Sequence, residues 1–138
     1  MAGYSGNPLD KKLGLKPGHR YYVEGAPDSF VGGTLALNGV TVVADGPVDV
    51  AHTFVTERSA FEGSWDRITS MLVADGMWWV SWPKRASKVP TDMTEDVVRE
   101  VALPKGLVDV KVCAVDDVWS GLKLVVRKEN RSSWTGGG

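Results

Sequence analysis

A tryptophan and a basic loop stand together at Trp82-Pro83-Lys84, followed by Ser87 and Lys88. An aromatic face beside a cation can stack a base, or hold a phosphate or a carboxylate. The same pattern would arise from a tryptophan packed over the end of a sheet with a solvated basic loop behind it. We favour a ligand site that includes Trp82, Pro83, Lys84 and Ser87.

A second candidate site consists of two acidic turns earlier in the chain. Glu24-Gly25 ends one β-rich run and Asp45 ends the next, so both turns are expected at neighbouring strand ends. Exposed N–H groups of a strand-to-helix turn can face an anionic or ribose-bearing ligand. A turn that simply needs a glycine, and an ordinary Asp-Gly-Pro turn, remain the structural alternatives.

The connection of a predicted hairpin carries five further polar or aromatic residues, Asp116, Asp117, Trp119, Ser120 and Lys123. Its entry follows a strand next to the central one, so we add Asp116, Trp119 and Ser120 to the candidate ligand site. Asp116 is expected to fix the Lys84 loop through an ion pair. Ser120 and Lys123 could act as nucleophile and base only if they meet, which their spacing does not establish.

The other reactive residue types form no recognisable site. His19 and His52 lie in β-rich runs without a Cys, His or Asp at metal-ligand spacing, so we predict no metal site. Cys113 has no partnered histidine, which argues against a thiol enzyme. The sequence contains neither a P-loop nor a Gly-x-Ser-x-Gly elbow.

Composition limits the classes of partner. The chain has 138 residues, 43% hydrophobic and 24% charged, which predicts one globular domain over residues 1–128 and a flexible tail over residues 129–138. A net charge of −1 argues against nucleic acid as the main partner, and no apolar run approaches the ~20 residues of a membrane span. A single cysteine and the lack of a secretory signal predict a cytoplasmic protein.

The element expected to position these residues is a strand over residues 77–82, bounded by Asp75-Gly76 and Pro83. A continuous apolar run between turn signals is typical of a strand covered on both faces, and proline cannot continue a central ladder. In open α/β sheets, ligands bind at the carboxyl ends of the strands. The basic loop after Pro83 would therefore lie at a ligand-binding edge.

Helix signals alternate with the strand signals. Capping-box spacing over residues 59–62 predicts a helix ended by Asp75-Gly76, and a box-like start at residues 92–95 predicts a second helix ended by residues 104–106. Asn7-Pro8 predicts a short first helix, and Asp28-Ser29 a weak helix through Leu37. Two alternating runs, 108–114 and 122–127, predict an antiparallel hairpin. The whole indicates a three-layer α/β sandwich with a mostly parallel sheet of about six strands.

Residues 16–25, Lys-Pro-Gly-His-Arg-Tyr-Tyr-Val-Glu-Gly, form a turn, a strand and a second turn that, with the closing hairpin, resemble the Rossmann-like S-adenosylmethionine methyltransferase fold. The resemblance implies that Glu24-Gly25 contacts the cofactor and that Asp45 holds its ribose. This chain departs from the family in having one glycine and Pro27 in the cofactor loop. It also lacks a strand–helix unit between Asp45 and Val48.

Residues 2–131 as a whole resemble a small actinobacterial family of unknown function, which implies a bacterial protein and no biochemical activity. The resemblance is carried by Gly-Tyr-Ser-Gly (3–6), Lys-Lys-Leu-Gly-Leu-Lys-Pro-Gly (11–18), Trp-Pro-Lys (82–84), Thr-Asp (91–92), Thr-Glu-Asp (94–96), Gly-Leu-Val-Asp-Val-Lys-Val (106–112) and Trp-Ser-Gly-Leu-Lys (119–123).

Three functions remain open. The preferred interpretation is a non-catalytic or degenerate methyltransferase-like module that binds a small ligand or a partner, since the cofactor loop is too poor in glycine for close approach of its backbone to a ligand. An active S-adenosylmethionine-dependent methyltransferase is the first alternative. A structural protein that forms homodimers through its sheet edge or aromatic surface is the second.

Overall fold

Six strands form one mixed sheet in the order β2-β1-β3-β4-β6-β5 in this computed structural model, which describes residues 8–137. The first four strands in that order are parallel, and β6 is antiparallel to both β4 and β5. The predicted α/β fold with its closing antiparallel hairpin is confirmed. The elements are α1 (Leu9–Lys12), β1 (Arg20–Glu24), β2 (Thr41–Val42), β3 (Val48–Phe54), α2 (Arg58–Met71), β4 (Leu72–Pro83), α3 (Glu95–Ala102), β5 (Leu107–Ala114) and β6 (Trp119–Val126).

The central strand is the predicted apolar run, extended at its amino end to Leu72. Trp78, Trp79 and Val80 are 0% exposed, because β4 is covered on both faces. On one face Trp78 packs with residues of α2 and α3, and on the other Trp79 packs with α1 and the segment that follows it. Each indole N–H finds an acceptor: Trp78 donates to Thr53 Oγ1 at 3.0 Å, and Trp79 donates to the Leu13 carbonyl at 2.9 Å.

The weak helix expected after Asp28 is not formed. Turns occupy this segment, with an isolated parallel bridge between Val31 and Leu35. Gly32 has φ +81°, and a helix through two adjacent glycines would lose backbone entropy without side-chain contacts in return. The segment is nevertheless ordered by burial, since Phe30 and Leu35 lie in the core.

The predicted limits of α2 are wrong at both ends. Its N-cap residue is Glu57, whose side chain makes no capping bond, so residues 59–62 do not form a capping box. At the other end Met71 is followed directly by β4, which places Asp75-Gly76 inside a strand. Gly76 serves a close approach there, because a Cβ on it would lie 2.8 Å from the Asp49 carbonyl oxygen of β3.

The start of α3 also differs from the prediction. Thr94 is its N-cap, and Thr94 Oγ1 accepts a hydrogen bond from the Val97 amide at 3.1 Å. Gly106, in the left-handed region, ends the helical segment as predicted. The Asp92 side chain therefore does not cap α3.

Residues 128–133 form a 3₁₀ helix, after which Trp134 Nε1 donates to the Leu72 carbonyl at 2.7 Å. The domain limit at residue 128 and the flexibility of the tail stay predictions. Asn7, the predicted cap of the first helix, lies outside the described residues. Within residues 8–137, no helix is long and apolar enough to span a membrane.

Candidate functional site

The carboxyl ends of β1, β3 and β4 lie along one edge of the sheet. The register pairs Glu24 with Thr53 and Phe54 with Ser81 in parallel ladders. The loops that begin at Gly25 and Lys84 therefore leave the sheet on the same side, as the sequence predicted.

The turn that contains Asp45 lies at the opposite edge, which corrects the prediction. Arg20, the first residue of β1, donates from Nε to the Pro47 carbonyl at 2.7 Å. A Cβ on Gly46 would lie 2.8 Å from the Cα of Met71, the last residue of α2. Because β2 has only two residues and residues 43–47 lead straight into β3, the chain turns back before it reaches the carboxyl edge.

The Glu24 carboxylate is held by protein groups. Its two oxygens each accept a hydrogen bond from Arg67 of α2 at 3.0 Å. The Tyr22 hydroxyl donates to Glu24 Oε1 at 2.6 Å, and this hydrogen bond raises the pKa of Tyr22. The carboxylate thus joins β1 to α2.

Gly25 is required by the packing of two strands. Its φ is +76°, and a Cβ on it would lie 2.5 Å from the Phe54 carbonyl oxygen at the end of β3. The following residues turn down onto the face of the sheet, where Phe30 is buried, and form no helix. The turn therefore lacks the helix N-terminus that would offer N–H groups to an anion.

A depression of about 500 Å³ lies at the carboxyl end of β4. Its walls come from β4, from the loop that joins β4 to α3, from the start of α3 and from β6. The lining residues are Trp82, Pro83, Lys84, Arg85, Lys88, Val89, Pro90, Thr91, Met93, Thr94, Glu95 and Ser120. Four of them, Trp82, Pro83, Lys84 and Ser120, were predicted ligand-site residues.

Three cations line this depression, which we call the basic depression. Lys84, Arg85 and Lys88 form no ion pair within residues 8–137, where every ion pair uses Arg58, Arg67 or Arg99. Residues 1–7 contain no acidic side chain that could pair with them. Within the described residues their charges are therefore unpaired.

The aromatic part of the prediction is corrected by burial. Trp82 is only 7% exposed and belongs to the core on the α2–α3 face. Its ring face cannot stack a base, because neighbouring core side chains cover it. Val89, 39% exposed, is the apolar side chain that the basic depression offers to a ligand.

Ser87 shapes the basic loop from within. Its Oγ donates to the Lys84 carbonyl at 2.7 Å and accepts from the Val89 amide at 3.2 Å. These bonds close the 3₁₀ turn Arg85–Ser87, which Lys88 ends in the left-handed region. Ser87 is thus a positioning residue of the loop and does not line the depression.

Asp116 shapes the hairpin connection. Its Oδ1 accepts hydrogen bonds from the amides of Val118 and Trp119, both at 2.8 Å, and the expected ion pair with Lys84 is not formed. The two loops are joined instead through the backbone, since the Lys84 amide donates to the Val118 carbonyl at 2.7 Å. Trp119 packs edge-on against Phe54 at 5.1 Å between ring centroids, on the face away from the depression.

Sequence reasoning missed a buried polar chain across three strands. His52 Nδ1 lies 2.8 Å from the Tyr21 hydroxyl, and His52 Nε2 lies 2.7 Å from Ser81 Oγ. All three residues are 0% exposed, and burial lowers the pKa of His52 to about 3. With no access to solvent, this chain of hydrogen bonds ties β1, β3 and β4 together.

Neither a metal site nor a thiol site emerges. The part of the chain from residue 8 to residue 137 contains no group of three His, Cys, Asp or Glu arranged for a metal ion. Burial raises the pKa of the Cys113 thiol, the opposite of what a nucleophilic cysteine needs.

Solved structures of two methyltransferases and of a pre-rRNA processing protein share this fold. The Methanococcus jannaschii fibrillarin pre-rRNA processing protein matches 87% of this chain with a TM-score of 0.56 at 11% identity. An S-adenosylmethionine-dependent O-methyltransferase from Thermotoga maritima matches 87% with 0.53 at 12% identity. A ribosomal protein L11 methylase from Lactobacillus delbrueckii matches 86% with 0.52 at 10% identity. The chain therefore has the methyltransferase-like Rossmann fold.

The likeness does not extend over whole proteins. The chain spans 69%, 64% and 74% of those three structures respectively, and 60% of a type 11 methyltransferase from Sulfolobus solfataricus. No protein-family model matches the chain, and no curated protein matches its sequence. Membership of the actinobacterial family stays a prediction.

Proposed function

We propose that this protein is a non-catalytic, methyltransferase-like module that binds a small anionic ligand in the basic depression. The observation that carries the proposal is the convergence of Lys84, Arg85 and Lys88, without ion-pair partners in the described residues, on one open depression. Unpaired cations around a concavity raise the local concentration of anions. The depression also lies at the edge where ligands of open α/β sheets bind.

The separation of the residues that the resemblance assigns to the cofactor favours a degenerate methyltransferase scaffold. Glu24 is paired with Arg67, Gly25 packs against β3, and Asp45 lies at the other edge of the sheet. The residues that the resemblance assigns to the cofactor therefore do not meet. A methyltransferase site would need a different set of residues in this chain.

An active S-adenosylmethionine-dependent methyltransferase is the second candidate, and the two solved methyltransferase structures with TM-scores of 0.52 and 0.53 favour it. The third interpretation, a dimerisation protein, stays a prediction that sedimentation can test.

The two ligand-centred candidates can be separated by calorimetry. We expect S-adenosylmethionine and S-adenosylhomocysteine to give no binding heat, while benzoate or phenyl phosphate binds weakly and loses affinity as salt is added. Micromolar binding of S-adenosylhomocysteine that survives Lys84→Gln would favour the methyltransferase and contradict our proposal.

A further inference from the structure

The basic depression carries an excess of positive charge. Its lining includes three cations and a single carboxylate, that of Glu95. Glu95 already shares its charge with Arg99, to which it is ion-paired within α3. The first turn of α3, which reaches the depression through Thr94 and Glu95, adds the positive end of the helix dipole. An anion with one charge would leave part of this excess uncompensated.

The backbone holds the cations close together. Arg85 is the first residue of a one-turn 3₁₀ segment, and Lys84 and Lys88 flank that segment on either side. The turn is closed by hydrogen bonds from the Ser87 amide to the Lys84 carbonyl at 3.0 Å and from the Lys88 amide to the Arg85 carbonyl at 3.1 Å. It is anchored to the hairpin by the Lys84–Val118 backbone bond. The backbone that carries the three cations is thus held in place by these hydrogen bonds.

Polar and apolar groups divide the lining. The lining also includes the hydroxyl-bearing residues Thr94 and Ser120 and the exposed apolar side chains of Val89 and Pro90. Guanidinium and ammonium groups with hydroxyl donors suit the oxygens of a phosphoryl group, and Arg matches them in pairs. The apolar part suits the body that carries such a group.

We propose that the ligand of the basic depression is a phosphate monoester, with its dianionic phosphoryl group at Lys84, Arg85 and Lys88 and its organic body against Val89 and Pro90. This inference rests on the proposed function and narrows its ligand class. It also separates the site from that of a methyltransferase cofactor, because S-adenosylmethionine carries a sulfonium and an ammonium against one carboxylate and is a net cation.

Two probes of nearly equal shape test the charge requirement. Phenyl phosphate is a dianion at pH 7.5, since the second phosphate pKa is about 6, whereas phenyl sulfate stays a monoanion. We expect phenyl phosphate to bind at least about tenfold more tightly at low salt. Its affinity should fall towards that of phenyl sulfate as the pH is lowered to about 5.5, where the phosphate gains a proton.

Two variants test whether the preference for phosphate over sulfate depends on the basic depression. Arg85→Gln should reduce the phosphate-to-sulfate ratio of affinities several-fold, and Lys128→Gln, an exposed lysine outside the depression, should leave it unchanged. Equal affinities for the two probes would overturn the phosphate inference and leave the anion-binding function standing. Failure of both probes and of benzoate to bind the folded protein would overturn the proposed function itself.

Discussion

Asp92 Oδ1 accepts a hydrogen bond of 2.7 Å from the backbone amide of Arg58, so a carboxylate from the β4–α3 loop caps the N-terminus of α2. The cap residue of α2 makes no side-chain bond of its own. The Asp92 amide also donates to the Thr56 carbonyl at 3.3 Å, and Thr91 Oγ1 donates to the same carbonyl at 2.6 Å. The loop that walls the basic depression is therefore fixed to the β3–α2 connection and to the first residue of α2.

Removal of the Asp92 carboxylate should destabilise the protein. We expect Asp92→Ala to lower the free energy of unfolding by about 1 kcal/mol, the usual contribution of a helix cap, as measured by urea denaturation. Asp92→Asn keeps the hydrogen-bond acceptor and loses only the charge, so it should retain more than half of the stabilisation that the Asp92 carboxylate provides. If Asp92→Ala matched the wild type, the cap would have no energetic role.

Gly25 and Gly63 should respond in opposite ways to alanine. Gly25→Ala places a Cβ 2.5 Å from a backbone oxygen at φ +76°, and should cost about 2 kcal/mol or more. Gly63 lies in α2 with nothing within 4 Å of an added Cβ, so Gly63→Ala should stabilise by about 0.5–1 kcal/mol. Thermal unfolding of both variants tests this, and a tolerated Gly25→Ala would refute the structural role of that glycine.

His52 should make stability depend on pH between about 3 and 6.5. Its folded-state pKa is lowered to about 3 by burial, while the unfolded chain titrates near 6.5. Below pH 6.5 the His52 imidazole binds a proton in the unfolded state but not in the folded state. The free energy of unfolding therefore falls as the pH falls towards 3. The His52 contribution to the slope should approach about 1.4 kcal/mol per pH unit within that window.

The control for this slope is the second histidine. The free energy of unfolding should vary less steeply with pH in His52→Gln than in the wild type. His19 lies before β1 and outside the buried chain of hydrogen bonds, so His19→Gln should not remove the His52 contribution to the slope. Parallel pH profiles for the wild type and His52→Gln would contradict a neutral buried imidazole.

Trp134 should connect the C-terminal residues to the core. It packs against the α2–α3 face and donates to Leu72, so Trp134→Ala should cost about 2 kcal/mol. Trp134→Phe retains most of the packing and loses the hydrogen bond, and should cost about 1 kcal/mol. Hydrogen exchange of the amides after residue 128 provides a second measure, and wild-type stability in Trp134→Ala would show that the tail is free, as the sequence suggested.

The sequence was sufficient where a local pattern and the fold agree. The apolar run ended by Pro83 predicted the central strand, and the alternation around Lys111 and Lys123 predicted the hairpin. Parallel pairing then brought the loops after Gly25 and Pro83 to one edge. The sequence could therefore place the basic loop at the carboxyl edge of the sheet.

The sequence failed where a residue is explained by a distant contact. Gly76 looked like the end of a helix and instead allows the approach of Asp49, and Asp92 looked like the cap of α3 and instead caps α2. Asp45 was misplaced because the shortness of β2 depends on how residues 43–47 return to β3. The burial of Trp82 depends likewise on helices that pack over it.

Ligand binding by three forms of the protein tests the central claim most directly. Titration calorimetry of phenyl phosphate, at pH 7.5 and low salt, should give measurable binding to the wild type and to Lys128→Gln. In Lys84→Gln/Lys88→Gln, which removes two of the three cations of the basic depression, we expect affinity to fall by at least about thirtyfold at an unchanged melting temperature. Equal affinity in all three proteins, or binding to none of them, would contradict the assignment of the basic depression as an anion-binding site.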